Sequence, residues 1–315
     1  MSNDDVKRLL ARAERTLQQS SIDDILTRVR AIIGPGNMPP TEQGRLAQEA
    51  LDQMRSRKRP TTEQLIALEY VIRLMRPAPL SRGGTLDKVD PQLAEAFPDW
   101  QSFSQSVKPY LYSIGCIELL ATKKGIGTGF LVAKDLLATN RHVLDLLSCG
   151  TNQLQKGQGA VYFGRESGVA DTQGRTDITS AVAVHETLDI ALLGIETTDN
   201  APARTPLVIE TDPASEGDAV VAVGYPFDDP VRNPIFIDAL FGGKFGVKRA
   251  APGEVLKLSP QSVFHDCSTL GGNSGSPILS MKTARLVGLH RDGFFMYRNE
   301  AVDANSLNQF VGQYA

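Results

Sequence analysis

The hydrophobic pattern of this chain changes once along its length. Up to residue 76, apolar residues recur every three or four positions, the spacing of helices with one buried face. Four such stripes lie at Val6–Leu17, Ile22–Ile33, Leu46–Met54 and Leu65–Met75. From Tyr112 onward the chain consists of short apolar runs separated by Gly, Pro, Asp and Asn. The sequence therefore predicts a small all-α bundle of about four helices followed by an all-β barrel or sandwich.

Local signals indicate where these elements begin and end. Ser21 precedes the second stripe, and Thr61 with Gln64 has the spacing of a capping box before the fourth. Glycines and prolines in segment 34–40 separate the second helix from the third. A short closing helix is expected near Asn305–Val311.

The same signals divide the chain into three parts. Residues 1–76 are expected to form the helical bundle, and residues 108–315 the β domain. Residues 77–107 contain four prolines and two glycines and are interpreted as a linker. Within that linker, Leu93–Phe97 and Trp100 are apolar enough to pack on a neighbouring domain.

Bulk composition sets the context for function. The chain has 315 residues, long enough for more than one core, and a net charge of -3, which gives no general reason to expect nucleic acid as a partner. The acidic N-terminus lacks the apolar segment of a secretory signal, and no run is long enough to span a bilayer, so a cytoplasmic location without membrane contact is expected. Three cysteines, Cys116, Cys149 and Cys267, lack metal-ligand spacing. Neither a structural disulfide, nor a metal site, nor a cofactor is expected.

Three short segments together indicate nucleophilic catalysis. His142 follows the apolar run that ends at Thr139, Asp189 lies between Leu188 and Ile190, and Ser274 lies in a glycine-rich turn. A serine hydroxyl becomes a good nucleophile only when a base takes its proton, and a carboxylate orients that base. Each residue alone has an ordinary structural explanation. Their joint order, His then Asp then Ser on a β background, predicts Ser274 as nucleophile, His142 as base and Asp189 as orienting acid.

The turn before the serine suggests an oxyanion hole. Gly271 and Gly272 let the backbone bend, so that the N–H groups of Gly272 and Ser274 can point at one position. Such a pair of donors stabilises the negative oxygen of a tetrahedral intermediate.

These segments resemble the signatures of the chymotrypsin/trypsin-like serine protease family. They are most similar to its bacterial glutamyl-endopeptidase branch, through the stretch Ser268–Pro277 and the segment Gly288–His290, with Gly224–Pro226 as a weaker likeness. The resemblance covers about residues 110–312 and implies two six-stranded β-barrels with the active site between them. It places His142 and Asp189 in the first barrel and Ser274 in the second. It also implies a serine endopeptidase that acts on protein or peptide substrates.

The resemblance further implies where a substrate side chain binds. In the glutamyl-endopeptidase branch, residues matching Thr269 and His290 hold an acidic side chain, which implies cleavage after Glu or Asp. A hydroxyl and an imidazole can donate hydrogen bonds to a carboxylate. That branch also uses its mature N-terminal amine in the pocket, whereas a helical domain precedes the barrels here. His290 as a structural residue at a strand end therefore remains an alternative.

One position departs from trypsin itself. Trypsin has an aspartate before its serine, and this aspartate pairs with the amine freed by zymogen cleavage. The corresponding Asn273 carries no charge, so activation by that ion pair is not expected. The turn is expected either to be preformed or to be ordered by another contact.

The helical bundle leaves its role open. A bundle fused to a trypsin-like domain resembles, in architecture, the adaptor modules attached to effector proteases in bacterial conflict systems. That resemblance implies recruitment or control by a protein partner, in a setting such as defence against phage. An inert stabilising or dimerising bundle is the alternative. For the chain as a whole, the alternative to an enzyme is a catalytically silent protease-like scaffold or adaptor that binds partner peptides.

Overall fold

Four helices form the first part of the structure. The structure is a computed structural model that describes residues 3–17, 21–33, 41–89, 91–168, 174–196, 204–229, 234–294 and 298–315. The helices are α1 (Asn3–Leu17), α2 (Ile22–Ile33), α3 (Thr41–Arg55) and α4 (Thr62–Leu74). They lie where the four apolar stripes predict them. The break expected at residues 34–40 falls outside the described residues.

The capping box before α4 is present. The Gln64 N–H donates to the Thr61 hydroxyl over 3.2 Å, and the Thr61 N–H donates to the Gln64 side-chain oxygen over 2.9 Å. Each bond satisfies a backbone donor that the first turn leaves without a partner. The sequence signal at the start of this helix is therefore confirmed.

The segment expected as a linker contains short elements of its own. They are β1 (Ser81–Arg82), β2 (Thr85–Leu86), α5 (Pro91–Ala96), α6 (Trp100–Ser106) and α7 (Lys108–Leu111). Leu93, Phe97, Trp100 and Phe103 are buried in the same hydrophobic cluster as residues of both barrels. The segment thus packs on the folded body along much of its length, while the domain boundaries themselves stay a prediction.

Six antiparallel strands close a first barrel. They are β3 (Ile114–Leu119), β4 (Lys124–Ala133), β5 (Leu136–Thr139), β6 (Gly159–Tyr162), β7 (Arg175–Val184) and β8 (Ala191–Ile195). Their order around the barrel is β3-β4-β5-β8-β7-β6. One helix, α8 (Arg141–Ser148), leaves the barrel directly after β5.

Six further strands close a second barrel. They are β9 (Ala219–Gly224), β10 (Arg249–Ser259), β11 (Ser262–His265), β12 (Pro277–Ser280), β13 (Leu286–Phe294) and β14 (Arg298–Asp303). Their order is β10-β11-β14-β13-β12-β9. Helix α9 (Pro234–Phe241) follows β9, and α10 (Ala304–Val311) closes the chain where the sequence predicts a helix. The predicted fold class, a double six-stranded barrel preceded by helices, is confirmed.

The β region differs from expectation in one respect. The short apolar runs predict strands without intervening helices, yet α8 and α9 interrupt them. In α8, Val143, Leu144 and Leu147 are buried and share one face, which is helical spacing over too short a stretch to stand out. Among the helices of the described ranges, none combines the length and apolar character needed to cross a bilayer.

Two residues connect the barrels. Tyr225, directly after β9, is fully buried, and its hydroxyl donates to the carbonyls of Ile114 and Tyr162 in the first barrel over 3.2 and 3.3 Å. Thr128 of β4 reaches the other way, and its hydroxyl donates to the Gly272 carbonyl over 2.7 Å. Both contacts are buried, so they fix the barrels relative to each other near the turn between β11 and β12, which bears Ser274 and is called the serine turn below.

The N-terminal helices pack on the second barrel. Leu68 and Ile72 of α4 share one hydrophobic cluster with Val255, Val263 and Ile278 of that barrel. All five side chains are buried. The helices and the second barrel therefore have a common core, and burial of apolar surface holds them together.

A buried ion network crosses the same interface. We define it by the residues Arg12, Glu69, Arg73, Arg76, Glu254 and Asp266. At its edge, the exposed Arg15 also pairs with Glu254. Asp266, directly after β11, accepts from Arg12 and, over 2.8 Å, from Arg76. Burial alone would raise the pKa of Asp266, but the charges of Arg76, Arg12 and Arg73 hold it well below its usual range. The carboxylate is thus ionised and anchors the helices.

Replacing Asp266 tests how much its ionised carboxylate contributes to stability. Because Asp266→Asn removes the counter-ion that the buried guanidinium groups of Arg12 and Arg76 share, we expect it to lower the free energy of unfolding by about 3–5 kcal/mol at neutral pH. A carboxyl whose pKa is lower in the folded state stabilises the fold above its unfolded pKa of about 4, and this contribution is lost as the pH falls below that value. The difference from wild type should therefore shrink in acid.

Urea unfolding at neutral pH and near pH 3 (about one unit below the unfolded pKa) measures this difference. Asp135→Asn, at an exposed turn, is the matched control and should change stability by no more than about 0.5 kcal/mol. A deficit of Asp266→Asn that is equal at both pH values would contradict the assignment.

Candidate active site

His142 and Asp189 meet because of how two strands pair. Antiparallel β5 and β8 place Thr139 opposite Ala191. The residues that follow β5 and those that precede β8 therefore emerge at the same end of the first barrel. His142 lies in the first turn of α8, and Asp189 lies two residues before β8. The Asn140 side chain donates to the Asp189 carbonyl over 2.9 Å and ties the two segments together.

The Asp189 carboxylate contacts His142 at two points. One oxygen lies 2.8 Å from the ring Nδ1, and the other accepts from the His142 backbone N–H over 3.1 Å. With Nδ1 as the donor, Nε2 is left as an acceptor, which is the tautomer that a general base needs. The His142 side chain is 43% exposed, so its far edge is open to a substrate.

The electrostatics of Asp189 agree with this contact. Burial alone would raise the pKa of Asp189, but the hydrogen bonds and charge of His142, with the charge of Arg291, lower it below its ordinary value. The carboxylate is therefore ionised at neutral pH.

Three hydrogen bonds hold the serine turn in place. The Thr128 N–H donates to the Ser274 carbonyl over 2.8 Å, and the Thr128 hydroxyl donates to the Gly272 carbonyl. On the far side, the Gly275 N–H donates to the His290 carbonyl on β13 over 2.9 Å. The turn between β11 and β12 is thus attached both to the first barrel and to its own sheet.

Gly272 needs to be a glycine, as does Gly275 after the serine, where φ is +85° and an added Cβ would overlap the Thr128 carbonyl. The φ of Gly272, +89°, lies in the left-handed region, and an added Cβ would overlap the Tyr225 carbonyl and the Phe227 ring. An added Cβ at Gly271 would meet nothing within 4 Å. The two glycines that the sequence treats as a pair therefore have different reasons to be there.

Some backbone N–H groups of the turn already donate hydrogen bonds within the protein, and others do not. The Asn273 N–H donates to the Leu270 carbonyl over 3.1 Å, and the Gly275 N–H is used as described above. In the part of the chain that the structure describes, the Gly272 and Ser274 N–H groups donate to no backbone carbonyl. They are the two groups that the sequence predicts as oxyanion donors.

Asn273 closes the turn locally. Its side chain is buried, donates to the Leu270 carbonyl over 3.4 Å and accepts from the Ser276 hydroxyl over 3.4 Å. These contacts order the turn without an ion pair, which is one of the two outcomes expected from an uncharged residue at this position.

The turn that bears Ser274 lies close to the helix that bears His142. Gly127 on β4 borders both the side chain of Val143 and the Ser274 carbonyl. Among the hydrogen bonds of the described residues, none joins the Ser274 hydroxyl to the His142 ring. Catalytic hydrogen bonds are often long before substrate binds and tighten in the complex.

A cavity of about 140 Å³ opens beside Ser274. Its walls include Thr269, His290 and Arg291 of the second barrel and Arg73 of α4. By the same measure a single water molecule needs only about 10–15 Å³, so the cavity has room for a side chain. Both predicted specificity residues therefore line a cavity next to the predicted nucleophile.

His290 is held by a second histidine. Its Nδ1 lies 3.2 Å from Nε2 of His265, and both rings are buried. Burial, together with the charge of His142, lowers the pKa of His290 to about 4 in spite of Asp292. Burial likewise lowers the pKa of His265, well below its usual range. His290 is therefore neutral at neutral pH.

The three cysteines and the acidic residues form no second centre. Cys116 and Cys267 are buried thiols and Cys149 is exposed. In the described ranges, no group of three or more His, Cys, Asp or Glu side chains is arranged to hold a metal ion.

Comparison with known proteins assigns the family. The family model of the trypsin-like peptidase domain matches residues 127–289, just over half of the chain. The chain belongs to the trypsin-like peptidase family. The match begins before His142 and ends just before His290, so it includes the predicted histidine, aspartate and serine.

Solved structures of proteases are similar to this trypsin-like peptidase. A mutant of Rv3671c from M. tuberculosis H37Rv in an inactive form is 21% identical, with 66% of this chain and 89% of that chain covered and a TM-score of 0.46. The inactive form of the Rv3671c protease has 21% identity, 66% and 91% coverage and a TM-score of 0.45. The serine endoprotease from Yersinia pestis has 16% identity, 67% and 65% coverage and a TM-score of 0.49.

Sequence reasoning missed Arg73, which borders the cavity of this trypsin-like peptidase, and it missed the contact of His265 with His290, although it gives His265 a supporting or packing role. Arg73 lies on a helix assigned to another domain, and a charged residue in an amphipathic helix usually indicates a solvated face. His265 was not connected to His290, because the two lie on strands that are separated in the sheet by β14. Neither contact leaves a signal in local sequence.

The two glycines give a matched test of the turn. Gly272→Ala should lower the free energy of unfolding by about 2 kcal/mol or more, because it combines a left-handed φ with overlap on backbone. Gly271→Ala should be neutral within about 0.5 kcal/mol, since the space around it is open. Thermal or urea unfolding of both variants checks this. Equal effects of the two substitutions would show that the turn has a different conformation.

Proposed function

We propose that this trypsin-like peptidase is a serine endopeptidase that uses Ser274 as nucleophile, His142 as general base and Asp189 as orienting acid. The observation that carries the proposal is the two-point contact between the Asp189 carboxylate and His142. That contact holds the ring in the tautomer whose Nε2 accepts a proton. The clamped turn that bears Ser274, with two unused amides, supports the same assignment.

The proposed reaction follows from these groups. The Ser274 oxygen attacks the carbonyl carbon of the scissile peptide bond while its proton passes to Nε2 of His142. The negative oxygen that forms is stabilised by the N–H groups of Gly272 and Ser274. The protonated imidazole then gives its proton to the leaving amine, the C–N bond breaks, and an acyl-enzyme remains. Water repeats the sequence on the ester, releasing the acid and restoring the Ser274 hydroxyl.

We extend the proposal to substrates with Glu or Asp before the cleaved bond. Thr269 and His290 line the cavity beside Ser274, and both can donate a hydrogen bond to a carboxylate. The neutral His290 ring has one nitrogen near His265, which leaves the other for the cavity. This arrangement supports the specificity of the glutamyl-endopeptidase branch over a purely structural role for His290.

The proposal also includes control by a protein partner that binds the N-terminal helices, in the bacterial cytoplasm. The architectural resemblance to conflict-system proteases supports it, as does the position of α4 against the cavity. A partner that acts in this way should change the rate at which a fluorophosphonate labels Ser274 when it is added to the purified protein. If a partner binds the helices and the labelling rate of Ser274 stays the same, the bundle is inert with respect to catalysis.

Serine-directed labelling tests the catalytic assignment. Wild type should react with a fluorophosphonate at Ser274, and Ser274→Ala should not react. Asp189→Asn should slow peptide cleavage by about 10⁴-fold, because the imidazole takes the wrong tautomer. Mass spectrometry locates the label, and cleavage of a proteome-derived peptide library measures activity.

Two variants serve as controls for this test. Ser280→Ala and Asp135→Asn remove the same groups away from the crevice and should leave labelling and cleavage unchanged. A wild-type protein that never labels would favour the alternative, a catalytically silent scaffold that binds peptides.

The neutral state of His290 predicts how the acidic preference depends on pH. Because the pKa of His290 is lowered to about 4, the ring stays uncharged through the neutral range. The ratio of kcat/KM for matched peptides with Glu or Gln before the cleaved bond should therefore be flat from about pH 5.5 to about pH 8. A histidine with its ordinary pKa would be charged at the acidic end and would raise the ratio there. Such a rise would contradict the neutral state of the ring.

A further inference from the structure

Arg73 brings a guanidinium from the helical segment to the substrate cavity. Its side chain is 3% exposed and lines the cavity together with Ser274, Thr269 and His290. Its Nε donates to Glu69 over 3.0 Å. Its Nη2 is buried and has no hydrogen-bond partner. A buried guanidinium donor without an acceptor is costly, which indicates that an acceptor arrives from outside the chain.

The buried ion network gives Arg73 the smallest share of negative charge. Its three arginines share three carboxylates. Arg12 pairs with Glu69 and Asp266, and Arg76 pairs with Glu254 and Asp266. Among the ion pairs of the described residues, Arg73 takes part only in the one with Glu69, which Arg12 also uses. The buried arginine with the fewest counter-ions is therefore the one that lines the cavity.

Two other charged residues line the cavity, Arg291 and Asp292, both on β13. Arg291 is partly exposed and already forms an ion pair, and Asp292 is an exposed acidic residue. Thr269 is uncharged, and His290 is neutral at neutral pH. A carboxylate taken out of water needs a cation as well as hydrogen bonds. Arg73 is the buried cation of the cavity wall, and one of its donors has no partner.

We propose that Arg73 is a specificity-determining residue that binds the side-chain carboxylate of a Glu or Asp preceding the cleaved bond. The inference rests on the proposed function of the same site, and it names the group that sets its acidic preference. In this arrangement the guanidinium receives the carboxylate, while Thr269 and His290 donate to it from the cavity wall. The planar fork of an arginine suits this contact better than a lysine ammonium does. The N-terminal helices are then part of the substrate pocket.

Substrate pairs that differ only in Glu or Gln before the cleaved bond test the proposal. Wild type should prefer Glu, and Arg73→Gln should lower the Glu/Gln ratio of kcat/KM by about a hundredfold, mainly through Glu. Arg73→Lys keeps a charge beside Glu69, and thus the fold, and should lower the ratio by about tenfold. Circular dichroism and thermal unfolding accompany each variant. If Arg73→Gln does not fold, the Lys variant decides the question.

Arg12→Gln is the matched control. It removes another buried guanidinium from Glu69 but lies outside the cavity, so it should lower stability and keep the Glu/Gln ratio. A ratio that is unchanged in both Arg73 variants overturns the proposal. So does a ratio that falls equally in Arg12→Gln, since the effect would then come from general loosening of the interface.

A binding measurement separates this proposal from the proposed function. Peptides that end in Glu or in Gln resemble the acyl product, and fluorescence anisotropy of labelled peptides measures their affinity without any cleavage. Wild type should bind the Glu peptide more tightly, and Arg73→Gln should lose most of that difference. If wild type is not labelled by the fluorophosphonate but still binds the Glu peptide more tightly, and Arg73→Gln loses that preference, catalysis is refuted and the role of Arg73 is supported. Normal labelling with no difference in wild type refutes Arg73 alone.

Discussion

The contact between Thr128 and the serine turn is the constraint on which the site depends. Thr128 belongs to the first barrel, and its N–H and hydroxyl donate to the carbonyls of Ser274 and Gly272 in the second. Its own carbonyl accepts from the Thr139 hydroxyl at the end of β5 over 2.7 Å. Because β5 leads directly into the segment that bears His142, one buried threonine fixes the distance between the two halves of the crevice.

Sequence alone predicts those parts of this molecule that depend on local patterns. Helical stripes and short apolar runs arise from burial on one face, so the helices before the double barrel follow from periodicity. The pairing of His142 with Asp189 is reached through chain order and through the family resemblance. The unused amides at Gly272 and Ser274 follow from a glycine-rich turn in the same way, although Gly272 has a left-handed φ and Gly271 does not.

The parts that sequence misses depend on contacts between distant segments. Prolines and glycines between residues 77 and 107 indicate an irregular backbone, but they say nothing about burial. The apolar residues Leu93–Phe97 and Trp100 predict some packing there, and Phe103 proves to be a core residue as well. Arg73 looks like a surface charge until α4 is placed against the second barrel. Its ion-pair partner Glu69 lies on the same helix, but Asp266, whose pKa its charge lowers, lies nearly two hundred residues away, a relation that no local spacing encodes.

The core that α4 shares with the second barrel limits how this gene can be rearranged. Protease domains are often treated as independent units that can be fused to other domains through a flexible linker. Here a different N-terminal module would remove Leu68 and Ile72 from the cluster that they share with the second barrel, and would leave Asp266 without its arginines. A transplanted barrel pair would therefore need substitutions at residues that now face the helices, Asp266 among them, before it could stand alone.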